Sequence, residues 1–334
     1  MLSRVAERIY WMARYLERAE NTARLINVDA HLHLDLPKGT TLGWSPLIEI
    51  MGCKVAFNER SIAKNERNII NFLAADLKNH SSIYSSIYNA RENARTVRDA
   101  IPSECWEVIN SLYEYAKNAL STVSARKVRF QVLNGIIEQV QKITGILSGT
   151  VLRGKGYLFL KLGRYLERAD MTSRILDVRS ENLLSTESGD LPPFEHIQWI
   201  SILNSLSAHH SYRQEVKGVI RSANVLHFLL SNTYFPRSFS HCMGEARHCL
   251  KNLPHSQTLQ QRVIRIMKKL QSLDYSCIKN KSLYLLIDQL QIELAGLNVA
   301  ISKSYFSLER NSRTQKLKRD QINEKFLLSE NSMH

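Results

Sequence analysis

Glycine and proline are scarce in this chain, 13 and 7 among 334 residues. A fold of short strands and tight turns needs many of both, so their scarcity argues against a β-sandwich or barrel. Strand-like alternation of apolar and polar residues is nearly absent. Leu, Ala, Glu, Lys and Arg are plentiful instead, which is the composition of an all-α protein. Cysteine is sparse as well. Cys53, Cys105, Cys242, Cys249 and Cys277 are odd in number and scattered, which fits reduced thiols in a cytoplasmic protein and argues against a disulfide framework. No uninterrupted apolar run approaches the ~18 residues of a membrane span. Met1-Leu2-Ser3 leads straight into an amphipathic stretch with no secretory core. The expected location is therefore the cytoplasm, with no membrane partner.

Catalytic signatures are missing too. The chain has no Walker loop, no Gly-x-Ser-x-Gly and no His-Glu-x-x-His. Gly154-Lys155-Gly156 lacks the strand context of a phosphate loop and reads as a linker. His241, Glu245 and His248 share a helix face, but that spacing specifies a metal only loosely. Neither a metal nor a cofactor is expected, and no catalytic residue is assigned. The net charge of +14 invites nucleic acid. The basic residues are spread along the chain, however, without zinc-finger spacing or an obvious helix-turn-helix, so a basic nucleic-acid-binding protein stays an alternative only.

What the chain does contain is a repeated helix. Arg14 to Val28 reads Arg-Tyr-Leu-Glu-Arg-Ala-Glu-Asn-Thr-Ala-Arg-Leu-Ile-Asn-Val, and Arg164 to Val178 reads Arg-Tyr-Leu-Glu-Arg-Ala-Asp-Met-Thr-Ser-Arg-Ile-Leu-Asp-Val; nine of the fifteen positions are identical. Leu2, Val5, Ile9, Met12, Leu16, Ala19, Ala23 and Ile26 form one apolar stripe of the first copy. Arg14, Glu17 and Arg24 lie about 140° round the helix from it. Arg18 lies on a third face. These off-stripe residues recur as Arg164, Glu167, Arg174 and Arg168. A merely solvated face drifts between copies, because surface substitutions cost little. The charged face is thus expected inside the protein, as an ion-paired seam between the two helices, as an arginine-rich binding pocket, or as both.

Other landmarks repeat in the same order. Trp44 pairs with Trp199, Phe57 with Tyr212, Phe72 with Phe228, Ser82 with Ser238, and Arg91 with Arg247. A near-constant offset implies duplication of a helical unit. The expected architecture is an all-α helical bundle of two pseudo-equivalent halves, residues 1–150 and 151–306, followed by a polar, basic tail over 307–334. Expected helices include Ser3 to about Leu34, Ser45 to Phe57, Ser61 to Leu77, Ser82 to Ala100, and Val128 to Gly149. A second polar set, Asn89, Arg91, Asn93 and Arg95, suits carboxylate or phosphate recognition. With Arg247 it joins the candidate binding residues.

Leu2 to Trp11, Arg14 to Arg24, Asn89 to Arg95, Glu104-Cys105-Trp106-Glu107, Arg164 to Arg174, Phe235-Pro236-Arg237-Ser238 and Ile301 to Phe306 together resemble the bacterial alpha-E domain family, which is all-helical and carries a Glu-Arg motif. The resemblance spans nearly the whole chain up to Phe306. It implies partnership with circularly permuted ATP-grasp proteins and transglutaminase-like proteins. ATP-grasp enzymes join a carboxylate to an amine through an acyl-phosphate. The resemblance therefore implies a non-catalytic or accessory component of a peptide- or amide-forming system, a scaffold or substrate-holding module. An enzyme using the Glu-Arg cluster for acid-base or phosphate chemistry is the alternative. No catalytic role transfers from the family's motifs to residues of this chain.

Overall fold

The computed structural model describes residues 2–35, 43–184, 195–278 and 280–307. Among these residues there are fourteen α-helices and no strand, so the protein is all-α. The first seven are α1 (Ser3–Asp35), α2 (Ser45–Ile50), α3 (Lys54–Asn58), α4 (Glu66–Ala74), α5 (Ile83–Thr96), α6 (Ser103–Ala119) and α7 (Arg126–Thr150). The remaining seven are α8 (Lys155–Leu184), α9 (Glu195–Ser205), α10 (His209–Glu215), α11 (Ser222–Ser231), α12 (Phe239–Lys251), α13 (Gln257–Gln271) and α14 (Asn280–Tyr305). Of the expected tail, residues 308–334 lie outside the described residues.

Helices α1 and α8 form the axis of the bundle. Tyr10 lies against Gly163, Arg14 meets Glu167, Glu17 meets Arg168, and Asp29 meets Arg179. The two sets of numbers climb together, so the helices run parallel and in register. Around them the packing partners correspond. Helix α1 packs on α5 and α7, and α8 packs on α12 and α14. The short helices cross over: α2 packs on α8, and α9 packs on α1. Each half thus lays one element on the other half's long helix, and one continuous apolar core runs through both.

Local details match as well. Ser82 and Ser238 both cap helices, accepting from the backbone N–H of Ser85 and His241 at 3.1 Å each. Phe57 packs edge-on to Phe72 at 5.0 Å, and Tyr212 edge-on to Phe228 at 5.5 Å.

Three expected helices are shorter than their apolar pattern suggests. Ser45 to Phe57 is two helices, because Gly52 takes a left-handed turn at φ 67°. There Cys53 N–H reaches back to the Ile48 carbonyl and Gly52 N–H to that of Glu49, both at 2.9 Å, which closes the end of α2. Ser207 makes the same turn at φ 53° after α9, with Ala208 N–H on Leu203. The helix expected from Ser61 begins only at Glu66. Ser61 is itself left-handed, and Asn65 caps the helix by accepting from Asn68 N–H at 2.9 Å. Similarly, α5 stops at Thr96, and a separate 3-10 turn follows over Arg98–Ala100.

By length and average composition, Lys281–Tyr305 of α14 is apolar enough to cross a bilayer, although it contains no long unbroken apolar run. Leu283, Ile287, Leu290, Leu294, Leu297 and Ile301 of that helix are buried in the bundle.

Gly163 sets how closely the axis pair approaches. A Cβ there would press into the Tyr10 carbonyl, whose carbon would lie 3.2 Å away. Gly163→Ala is expected to destabilise the fold by roughly 1–3 kcal/mol through overpacking against backbone. Gly149→Ala has nothing within 4 Å and is expected to be neutral or stabilising by up to about 1 kcal/mol. Urea unfolding of the two variants checks the contrast.

Candidate functional site

The in-register pairing of α1 with α8 turns the two Leu-Glu-Arg turns toward each other. Arg14 Nε donates to Glu167 at 2.6 Å, and Arg18 donates to the same carboxylate through Nε at 2.5 Å and Nη2 at 3.1 Å. Across the seam, Glu17 accepts from Arg168 Nε at 2.8 Å and from Arg237 Nη1 at 2.9 Å. Glu17 and Glu167 are 3% and 2% exposed. Each buried carboxylate is therefore held by two guanidiniums, the arrangement a buried charge requires.

The seam extends along α1. Arg237 also donates to Glu20 at 2.9 Å and to Asn21 at 2.5 Å, and Arg24 donates to Glu20 at 2.7 Å. Its counterpart Arg174 bonds Asp170 at 3.0 Å on its own helix. Thr172 Oγ1 donates to the Arg237 carbonyl at 2.8 Å and so fixes the segment that delivers that arginine. Arg14 Nη1 additionally donates to Asn298 of α14 at 2.8 Å.

Burial works to raise the pKa of both glutamates, but the facing arginines prevail. Arg168 and Arg237 hold Glu17 down to about 2, and Arg18 with Arg14 does the same for Glu167. Burial works to lower Arg14 and Arg168, yet the facing carboxylates push both upward. Arg164 differs: burial, and after it the neighbouring Arg168, push it below the ordinary arginine value.

The structure thus gathers Arg14, Glu17, Arg18, Glu167 and Arg168 into one cluster, with Arg24 joined through Glu20. The second polar set goes elsewhere. Arg91 donates to Asn110 at 2.8 Å and lies over the Tyr113 ring at 4.7 Å. Arg95 pairs with Glu92, and Asn93 accepts from Arg8 at 3.3 Å and donates to the Asn89 carbonyl at 2.7 Å. Arg247 is exposed. Of the histidine face, His241 Nδ1 lies 2.8 Å from the Thr233 carbonyl, and Glu245 is turned to Lys161. Arg237 escaped the sequence reading because its counterpart one residue before the Ser82 cap is Ser81; its one signal was its place in the Phe235–Ser238 motif.

The C-terminal part of α1 borders a cavity of about 430 Å³, lined among others by Asn27, His31, His33, Trp44, Arg129 and Phe130. Its walls are flat rings: His33 stacks on Trp44 at 4.4 Å, and Phe130 stands edge-on to His31 at 5.3 Å. Arg126 and Arg129 share Glu66, at 3.0 Å and 2.8 Å, so cations outnumber carboxylates at this rim. His33 Nε2 is buried, 3.7 Å from Asp29, and has no hydrogen-bond partner among the described residues. None of these residues was a candidate binding residue from sequence, where Trp44 stood only as a landmark of the repeat, because they come from α1, α4, α7 and the residue before α2, without a shared motif.

A helical bundle keyed by a buried glutamate–arginine seam is the class of protein these features define. The chain belongs to the Alpha-E family, described as a predicted alpha-helical domain with a conserved ER motif, whose family model matches residues 1–306. It is similar to an uncharacterized protein of Mycobacterium bovis, 22% identical over 271 residues, which are 76% of this chain and 30% of that protein. An uncharacterized protein of Mycobacterium tuberculosis is 21% identical over the same length, with the same coverage. The chain thus aligns with about a third of these relatives' length. No solved structure matches it.

Glu17→Gln and Glu167→Gln are each expected to cost roughly 3–5 kcal/mol, because each leaves buried guanidiniums uncompensated. The pH dependence has a definite sign. Both carboxyls titrate near 2 when folded, whereas the unfolded chain takes up protons near the ordinary carboxylate value of about 4.3. Their contribution is therefore complete above about pH 5 and is lost as the pH falls toward 2. Urea midpoints measured from pH 7 down to pH 3 should fall for the wild type and fall less for the glutamine variants.

Proposed function

We propose that this chain is a non-catalytic, substrate-holding module of an amide-forming system of the ATP-grasp type. The observation that carries the reading is the cavity beside α1, in the size range of small-molecule sites, with flat aromatic and imidazole walls and a cationic rim. Such a site suits a substrate with a planar body and a carboxylate or phosphate head, and a carboxylate is what an ATP-grasp enzyme activates. The family resemblance supports the partner: a circularly permuted ATP-grasp protein, with a transglutaminase-like protein in the same system. The length of the mycobacterial relatives supports it further, since the aligned region is 30% of a larger protein.

Acid-base catalysis by the seam is the weaker reading. Carboxyls held near 2 hold no proton to donate at neutral pH, and both are occupied by arginines. A nucleic-acid role gains nothing from these arginines, because backbone phosphates are met by exposed cations. Duplication of one seven-helix unit as the origin of the chain, and a cytoplasmic location, belong to the same proposal. Matching caps and turns support the first, and free cysteines support the second.

The test is co-purification with the ATP-grasp protein, followed by ADP release with and without this chain. The chain should raise turnover at sub-saturating substrate. Phe130→Ala and Arg126→Ala remove side chains that are largely exposed, so they should leave the fold intact. Each should cut the stimulation by about tenfold, the effect of losing one contact worth about 1.4 kcal/mol. Absence of the complex, together with unchanged turnover, would overturn the proposal.

A further inference from the structure

Arg164 has no counter-charge in direct contact. It is 9% exposed, yet among the described residues its side chain makes no hydrogen bond, ion pair or ring contact. Its counterpart Arg14 is engaged by Glu167, by Asn298, and at 3.4 Å by the Tyr10 hydroxyl. Each support is altered on the other side. Leu160 stands where Tyr10 stands, so the hydroxyl is gone. Glu17, the carboxylate corresponding to Glu167, is held by Arg168 and by Arg237 from the segment before α12. Arg237 has taken the place that symmetry would give Arg164.

The consequence is a local excess of positive charge. The seam collects the guanidiniums of Arg14, Arg18, Arg164, Arg168 and Arg237 around Glu17, Glu167 and Glu20. Arg164 and Arg168 lie close enough to repel one another, and Arg168 gives only its Nε to Glu17. Beside Arg168, the five donors of the Arg164 guanidinium meet no acceptor from the described residues. A tetrahedral dianion answers both problems, because its oxygens accept from two planar forks and its charge offsets the pair.

We propose that Arg164 and Arg168 form a receptor for a phosphate group at the α1–α8 seam. The site is separate from the aromatic cavity and does not depend on it. Arg164 is the primary ligand-binding residue, and Arg168 bridges the phosphate to Glu17. Arg237 is a positioning residue that keeps Glu17 away from Arg164.

The experiment is thermal unfolding of the full chain in inorganic phosphate, with acetate and chloride at matched ionic strength as controls. Phosphate should raise the melting temperature of the wild type in a saturable manner, by about 4 °C at roughly a hundredfold excess over Kd. Acetate and chloride should do markedly less. Arg164→Met should abolish the phosphate response while leaving the ligand-free melting temperature close to that of the wild type, since it breaks no hydrogen bond or ion pair among the described residues. Arg14→Met, which breaks a made pair, should lower it. Arg164→Lys keeps the charge without the fork and should weaken phosphate binding by about tenfold. Three outcomes overturn the proposal: a loss of stability in Arg164→Met as large as in Arg14→Met, an undiminished phosphate response in Arg164→Met, or equal responses to all three anions. None of them bears on the cavity, which is read by the partner's turnover.

Discussion

Two carboxylates removed from water, each clamped by two guanidiniums from other parts of the chain, set the terms for the whole bundle. A buried Glu17 or Glu167 is tolerable only where arginines reach it. That requirement fixes the register of α1 against α8, because a slip of one helical turn, about 5.4 Å, would part every pair at once. It also fixes their separation, which Gly163 permits by letting backbone meet backbone at Tyr10. The flanking helices then pack on a pair already locked in position, α5 and α7 on one side, α12 and α14 on the other.

The matching caps, ring pairs and packing partners make the mismatched positions informative. Trp199 is fully buried in α9, whereas Trp44, its counterpart, stands at the wall of the cavity beside His33. Ser81 is a small residue where Arg237 enters the seam from the other half. Matching positions build the scaffold, and mismatched ones line the cavity and leave Arg164 without a paired carboxylate. Both features lie along the two axis helices: Asn27, His31 and Leu34 of the cavity continue the line begun by Glu17, Glu20 and Arg24.

The overall fold was largely legible in the sequence because helices follow from local pattern. The long first helix, the order of the longer helices and both serine caps could be read from periodicity and capping residues. The failures were local as well. The apolar pattern runs through Gly52 without interruption, yet a glycine free to adopt φ 67° ends α2 there. A start at Ser61 puts α4 too early, because Ser61 is left-handed and Asn65 supplies the cap four residues on.

The candidate site divides along a different line. Recurrence of Arg14, Glu17, Arg18 and Arg24 at Arg164, Glu167, Arg168 and Arg174 marked a face that belongs inside. Helical periodicity also set the direction in which each side chain leaves its helix. The sequence by itself therefore determined the helices, their apolar stripes and the existence of a second, charged face. It could not determine what stands opposite that face. Ion pairs between residues about 150 positions apart depend on how two helices are laid side by side, and no local propensity encodes that. Only the tertiary structure decided that Arg237 rather than Arg164 completes the clamp on Glu17, and that rings from α1, α7 and the start of α2 enclose a cavity. The physical reason is that burial and charge pairing are properties of the assembled bundle, set by distance in space and not by distance along the chain.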